Sequence, residues 1–147
     1  MTSLPGWSTK IDEVSNGVFN VVLTDQFGRK AEVTDNATNE TIEKAINNAF
    51  EIERQVSRNW NKFLYDLCLL NIPHEEVILA EYNDQAFGSW VLELENKRIV
   101  FDGKDFELIL QAKADQDWKD LIIIEKSNLT YLKISELIEA MTKKHNT

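Results

Sequence analysis

A long stretch without glycine or proline, from Thr38 to Leu70, constrains the fold of this chain more than any other feature. Its apolar residues recur at steps of three and four, the spacing that aligns one face of an α-helix. They are Ile42, Ala45, Ile46, Ala49, Ile52, Val56, Trp60, Phe63, Leu67 and Leu70. The pattern predicts one continuous amphipathic helix, roughly 45 to 50 Å long at 1.5 Å per residue. Such a helix must bend or extend beyond the core of a small domain.

The chain before this helix has the pattern of a three-stranded antiparallel meander. Asn16-Gly17 separates two strand-like runs, and this pair is a strong hairpin signal because both central residues of the favoured turn need a positive φ. A second turn at 25–28 connects a strand at 18–24 to another at 29–34.

The chain after the helix predicts a second meander and a short final helix. Strand-like segments lie at 77–82, 89–95, 98–101 and 106–112, separated by turn residues. The apolar run Leu121–Ile124 does not alternate, which is typical of a strand covered on both faces and so predicts a central position in the sheet. Ser135 is expected to cap a helix that ends near Lys144. The predicted fold class is α+β, a mainly antiparallel sheet with a single layer of helices packed on it.

Length and composition predict one folded domain over residues 1–147, with 1–6 as a loose lead-in and 145–147 as a frayed end. No run approaches the 18 or so apolar residues of a membrane span, and no signal-peptide pattern opens the chain, so the expected location is the cytoplasm.

The net charge of −9 argues against nucleic acid or a membrane as the main partner, because binding to either depends largely on Lys and Arg. Residues 75–107 contain nine acidic and three basic residues and therefore carry −6 of this charge. A basic protein partner fits this distribution. The residues predicted to contact it are Glu75, Glu76, Glu81, Asp84, Glu93, Glu95, Asp102 and Asp105, with Trp90 as an aromatic anchor.

Most patterns that carry catalysis are missing from the sequence. It has no glycine-rich phosphate loop, no Cys-x-x-Cys and no pair of histidines at helical spacing, so no cofactor or metal is expected. The single cysteine, Cys68, lies among leucines and is interpreted as a core residue. His74 is interpreted as a solvated loop residue, with a metal-ligand or pH-sensing role as the alternative.

One short pattern nevertheless suggests an enzyme. Asp102 or Asp105 precedes an apolar strand that ends in Gln111 and Lys113, an order similar to that of metal-dependent nuclease cores, in which an acid binds Mg²⁺ and a lysine steadies the attacking water. Gln111 stands where such a core has an acid, and the acidic surroundings disfavour a nucleic-acid substrate.

The leading hypothesis is therefore a small acidic protein that binds a basic protein partner through residues 75–107. Immunity proteins and secretion chaperones form an analogous class of small, acidic α+β proteins. The first alternative is a self-associating scaffold, a homodimer that pairs through Ile52, Val56 and Trp60 of the long helix. The second alternative is the nuclease-like enzyme, and the third is a binder of a small ligand between sheet and helix.

Overall fold

The computed structural model describes residues 3–143. The strands are β1 Trp7–Ser15, β2 Val18–Asp25, β3 Lys30–Asp35, β4 Leu79–Asn83, β5 Ser89–Glu93, β6 Lys97–Asp102, β7 Glu107–Ala114 and β8 Asp117–Glu125. The helices are α1 Thr38–Val56, α2 Trp60–Leu70 and α3 Tyr131–Thr142. The strands form two antiparallel sheets, which confirms the predicted α+β class.

The chain folds as two compact units, Met1–Trp60 and Asn61–Thr147. The single domain over 1–147 stays a prediction. The predicted lead-in at 1–6 is described only from residue 3, and the predicted frayed end at 145–147 lies outside the described residues.

The predicted continuous helix is wrong, because α1 ends at Val56 and α2 begins at Trp60. Ser57 has extended backbone angles, and its amide donates to the carbonyl oxygen of Glu53, closing the last turn. Serine and asparagine side chains compete for backbone hydrogen bonds and therefore favour helix ends, and Asn59 stands directly before α2. The apolar spacing of three and four residues continues across this boundary, so the spacing alone does not indicate the break.

The interruption also removes the continuous helical surface that the self-association hypothesis required. Ile52 and Val56 lie on α1, whereas Trp60 is the first residue of α2. The Trp60 ring packs edge-on against Phe50, with the ring centroids 5.2 Å apart. Trp60 is therefore engaged with its own unit.

The first unit is a three-stranded sheet with one helix on one face. In the order β1-β2-β3, Ile11 lies opposite Val21 and Val21 lies opposite Val33, as the two predicted turns require. The helix α1 packs mainly against β2 and β3. Most of β1 is consequently exposed, and Ile11 keeps 45% of its surface accessible.

A buried carboxylate fixes the turn between β2 and β3. The side chain of Asp25 is 2% exposed and accepts hydrogen bonds from the amides of Phe27 and Arg29 and from Nε of Arg29. Burial alone would raise the pKa of this carboxyl group, but the hydrogen bonds and the charge of Arg29 outweigh it and hold the pKa below its ordinary value. The turn therefore depends on the ionised form of Asp25.

The second unit is a five-stranded sheet in the order β4-β5-β6-β7-β8, with every neighbouring pair antiparallel. One face is buried in two rows. They are Trp90, Phe101, Leu108 and Ile124 in the first row, and Leu92, Ile99 and Leu110 in the second. The ring of Tyr65 in α2 lies edge-on to the ring of Trp90, and Lys97 of β6 donates a hydrogen bond to the end of α3. Both helices therefore contact this sheet.

The predicted central position of the last strand is wrong, because β8 is an edge strand. Within its apolar run, Leu121 and Ile123 are 51% and 52% exposed, whereas Ile124 is buried. A register irregularity between Leu110 and Gln111 of β7 accompanies this run. The run therefore alternates across the sheet, although its sequence does not alternate in polarity.

The final helix starts earlier than predicted. Thr130, not Ser135, caps it by accepting a hydrogen bond from the amide of Lys133, and the helix ends at Thr142. No helix among residues 3–143 is both long and apolar enough to cross a membrane.

Candidate functional site

The predicted binding residues do not form one continuous face. At one end of the five-stranded sheet, a cleft is lined by Glu75, Glu76 and Glu95. The turns at the other end contain Asp84, Asp102 and Asp105. Glu81 and Glu93 lie on the open face of the sheet, and Trp90 lies in the core. A strand of five or six residues spans about 17 to 20 Å, so acids that are near in sequence end up at opposite ends of a strand.

Trp90 is not available as an exposed anchor. Its side chain is 3% exposed, and its ring stacks on Phe101 with the centroids 5.4 Å apart. Buried and less buried residues alternate along β5, and Trp90 and Leu92 are the two buried ones. The predicted contact at Trp90 is therefore corrected to a core position.

The acids at the far end of the sheet stabilise turns. Oδ1 of Asp102 accepts a hydrogen bond from the amide of Lys104 at 2.9 Å, which closes the loop between β6 and β7. Asp84 begins a short 3-10 turn between β4 and β5. These positions explain the acids as turn residues without a ligand.

On the open face of the sheet, the pairing of neighbouring strands determines which side chains lie next to the acids. Glu93 of β5 lies opposite Arg98 of β6, and Arg98 in turn lies opposite Gln111 of β7. Nε of Arg98 donates to Oε1 of Gln111 at 2.6 Å, and the guanidinium lies over the ring of Trp118 at 4.3 Å. This polar row stabilises the sheet through the hydrogen bond to Gln111 and the contact between the guanidinium and the Trp118 ring.

In the cleft, three of the predicted acids lie together with apolar and basic side chains. It has a volume of about 830 Å³, and residues far apart in the sequence line it. The lining is Glu75, Glu76, Ile78, Leu94, Glu95, Asn96, Lys97, Met141, Thr142 and Lys143. The short turn His74–Glu76 supplies two carboxylates, and the connection from β5 to β6 supplies the third.

Apolar side chains give the cleft a floor and an exposed contact point. Leu94 and Met141 are almost fully buried, whereas Ile78 leaves 63% of its surface accessible. The amide of Ile78 donates to the carbonyl oxygen of Glu93, which holds the segment before β4 against the sheet. The cleft thus places an accessible aliphatic side chain beside carboxylates.

Lys97 does not simply neutralise these carboxylates. Its Nζ donates to the carbonyl oxygens of Ala140 and Lys143, at 2.7 and 3.2 Å, at the carboxyl end of α3. These carbonyl groups carry the negative end of the helix dipole. The ammonium group of Lys97 is therefore engaged by the helix end.

Two of the three cleft carboxylates are free to meet a ligand. Among the described residues, neither Glu75 nor Glu95 takes part in a side-chain hydrogen bond or an ion pair. An incoming ammonium or guanidinium group can therefore bind them without displacing a partner among residues 3–143.

The residues of the nuclease hypothesis are not brought together. Asp102 lies opposite Glu107 at the start of β7, whereas Gln111 and Lys113 lie four and six residues further along that strand. At about 3.4 Å per residue, these distances are roughly 14 and 20 Å. Gln111 is bonded to Arg98 and Asp120, so the predicted arrangement around a metal ion is not present.

The remaining candidates for chemistry also occupy structural positions. Cys68 is fully buried in α2, and burial raises the pKa of its thiol to about 12, which opposes a nucleophilic role. Within residues 3–143, no three His, Cys, Asp or Glu side chains are grouped as a metal site.

Sequence reasoning identified three cleft acids but missed the rest of the cleft. Ile78 and Met141 lie more than sixty positions apart in the chain, and no local pattern connects them. The cleft exists because the end of α3 meets the connection between β5 and β6.

Comparisons of the chain with protein-family models, with curated proteins and with solved structures give no match.

Proposed function

We propose that this protein binds a basic segment of another protein in the cleft beside the end of α3. One observation carries the proposal: Glu75, Glu76 and Glu95 converge on a cleft that also contains the accessible side chain of Ile78. The role is that of an acidic binding protein, comparable in kind to immunity proteins or secretion chaperones.

The chemistry of the cleft favours a short peptide segment with a defined composition. The carboxylates attract Lys or Arg, while Ile78 and the apolar floor accept an aliphatic side chain. A volume of about 830 Å³ accommodates a few side chains. The preferred ligand is thus an apolar residue flanked by basic residues.

Electrostatics should act mainly on the rate of association. Exposed charges of opposite sign steer two proteins toward each other, and dissolved salt screens this effect over about 8 to 10 Å. The binding rate is therefore expected to fall as ionic strength rises. The apolar contact at Ile78 should instead influence the rate of dissociation.

The proposal is tested by removing the cleft charges without changing the shapes of their side chains. The triple variant Glu75→Gln, Glu76→Gln, Glu95→Gln should weaken capture of a basic partner by roughly 0.6 to 3 kcal/mol in total, at 0.2 to 1 kcal/mol for each exposed pair. Calorimetry with the captured partner, or with peptides that contain Leu between two Lys residues, gives this quantity.

A matched control changes three acids away from the cleft. The variant Glu81→Gln, Asp84→Asn, Asp105→Asn alters the net charge by the same amount at positions outside the cleft lining. Equal weakening by both triple variants would show that net charge alone governs binding, and the cleft would then be rejected as the site.

A further inference from the structure

The open face of the five-stranded sheet has an apolar row that crosses four strands. Val91 of β5 lies opposite Val100 of β6. Ile109 of β7 lies between Val100 and Ile123 of β8 and pairs with both. The first three side chains are partly exposed, and Ile123 keeps 52% of its surface accessible. Polar residues are usual at such positions when one face of an antiparallel sheet meets water, so this apolar row departs from the pattern of a solvated face.

The helices of this unit contact the other face of the sheet. Trp90 and Ile99, which precede Val91 and Val100 along their strands, are buried, and the ring of Tyr65 in α2 packs against Trp90. Successive side chains of a strand point to opposite faces. The apolar row therefore lies on the face opposite to that contact.

Three carboxylates border one side of the apolar row. Asp102 of β6 lies opposite Glu107 of β7, and Glu107 lies opposite Glu125 of β8, so these residues form an acidic row across three strands. Like charges directly opposite each other destabilise a sheet. Within residues 3–143, neither Glu107 nor Glu125 takes part in a side-chain hydrogen bond or an ion pair, and the ammonium group of Lys126 lies over the ring of Phe106. A cationic partner would relieve this repulsion.

The rest of the open face is also acidic. Carboxylates outnumber cationic groups by six to two at the outward positions of β4 to β8. The two bases are Arg98 and Lys113, and Arg98 is engaged by Gln111 and the ring of Trp118. The six acids are Glu81, Glu93, Asp102, Glu107, Asp120 and Glu125. The charge around the apolar row therefore favours a basic partner and repels an acidic one.

We propose that this face binds a basic amphipathic helix of a partner protein. The apolar side of that helix lies on the apolar row, and its Lys or Arg side chains meet the acidic row of Asp102, Glu107 and Glu125. The inference goes beyond the cleft, because none of the residues that line the cleft belongs to either row.

The spacing of the strands favours a helix over an extended segment. Neighbouring strands lie about 4.8 Å apart, so the three steps of the apolar row extend over about 14 Å. A helix advances about 5.4 Å per turn, so apolar residues at steps of three and four meet successive strands. The side chains on one face of an extended segment repeat about every 6.8 Å, which matches the row less well.

Residue-resolved NMR titration of the full chain tests the proposal. The probe is a synthetic peptide of about fourteen residues with Leu at helical spacing and Lys at the other positions. The amide signals of Val91, Val100 and Ile109 should shift as this peptide is added. The same peptide with Glu in place of every Lys should leave these signals unchanged. No shift of the three signals with the Lys peptide, or equal shifts with both peptides, would overturn the proposal.

The cleft variant Glu75→Gln, Glu76→Gln, Glu95→Gln separates this face from the cleft, which can bind the same peptide. The signals of the apolar row should titrate in this variant as they do in the wild type. Loss of their response would mean that the peptide binds only in the cleft, and the inference would be rejected. A response of the apolar row in the wild type without any response of the cleft amides would instead reject the proposed function alone.

Two variants test the two kinds of contact. Glu107→Gln with Glu125→Gln should raise the peptide dissociation constant, read from the signals of the apolar row, by roughly threefold or more. Ile109→Thr keeps a β-branched side chain in the strand and should raise the constant by roughly fivefold, because it removes apolar contact area. Glu32→Gln with Glu43→Gln is the matched control on β3 and α1, and it should bind like the wild type. Equal weakening by the two double variants, or wild-type binding by both face variants, would contradict the inference.

Discussion

The two sheets of this protein are both antiparallel meanders, yet they bury very different shares of their side chains. In the three-stranded sheet, α1 covers mainly β2 and β3, and β1 is exposed from Ser8 to Ser15. In the five-stranded sheet, a row of buried residues runs across β5, β6, β7 and β8, with Phe101 at 1% exposure. The same local strand pattern therefore gives a thin layer in one unit and a full core in the other.

This difference teaches where cooperative stability resides. Hydrophobic stabilisation scales with the apolar area removed from water, and an exposed strand contributes little of it. Regions with few buried side chains open at low free energy, whereas core strands exchange their amides only through larger unfolding events. We expect β1 to exchange its amide hydrogens much sooner than β6.

The largest expected effect is a truncation in the five-stranded core. Phe101→Ala should lower the free energy of unfolding of this unit by about 3 to 5 kcal/mol, because it removes a ring packed against Trp90 and Phe106 and leaves a cavity. Hydrogen-exchange mass spectrometry in increasing denaturant, read separately for peptides of 61–143, provides the measurement.

Ile11→Ala is the matched truncation in the exposed strand β1. Its effect on the same measurement, read for peptides of 7–60, should stay below about 1 kcal/mol because the side chain is already 45% exposed. Comparable losses from the two truncations would contradict the proposed contrast between the sheets.

The second prediction concerns a polar contact that partly offsets the thin core of the three-stranded sheet. Asp25→Ala removes the acceptors of three hydrogen bonds and leaves the amides of Phe27 and Arg29 unsatisfied at a turn. The expected loss is about 2 to 3 kcal/mol of unfolding free energy in this unit.

The effect of Asp25 should depend on pH. Its pKa is lowered in the folded state, so the stabilisation is complete above the pKa of the unfolded chain and is lost as the pH falls through the lower folded value. The wild type and Asp25→Ala should therefore converge in stability as the pH is lowered below about 4. A difference that is constant from neutral to strongly acidic pH would show that ionised Asp25 is not the cause.

Local chemistry explains which parts of the fold were predictable. The hairpin at Asn16-Gly17 depends on two adjacent residues, and β1 and β2 form as expected on either side of it. The end of α1 at Ser57 was not predictable from periodicity, because Val56 and Trp60 continue the apolar spacing across the break.

Strand order and burial were less predictable because they depend on contacts between distant segments. The run Leu121–Ile124 has the composition of a central strand, but its place at the sheet edge follows from how the preceding strands pair. Trp90 is a different case, because it was predicted at an interface although the local alternation of β5 places it with Leu92 on the buried face.

The third prediction tests the architecture of the cleft. Lys97→Met keeps most of the side-chain length but removes the ammonium group that bonds to Ala140 and Lys143. The expected loss is about 1 kcal/mol of unfolding free energy, with faster amide exchange at the end of α3. Lys104→Met in the loop after β6 is the control, and an equal effect there would argue against the helix-end role of Lys97.

The smallest effect is expected for an exposed ion pair of the three-stranded sheet. Nζ of Lys10 lies 3.7 Å from Oδ2 of Asp12, and the two side chains are 78% and 53% exposed. Such pairs contribute little to stability because water and salt screen them. Lys10→Ala should leave thermal unfolding and amide exchange unchanged within error. A clear destabilisation would mean that β1 carries more of the unit's stability than its exposure indicates.

The most direct test of the central claim compares the association of one basic partner with the wild type, the cleft triple variant and the matched control triple variant at several salt concentrations. Stopped-flow or surface-plasmon measurements give the association rates. The account predicts that the wild type and the control share a high association rate that falls as the salt concentration rises. The cleft variant, Glu75→Gln, Glu76→Gln, Glu95→Gln, should associate more slowly at low salt, and its association rate should depend less on salt. Identical rates and salt dependence for the cleft variant and the control would contradict the assignment of the cleft as the binding site.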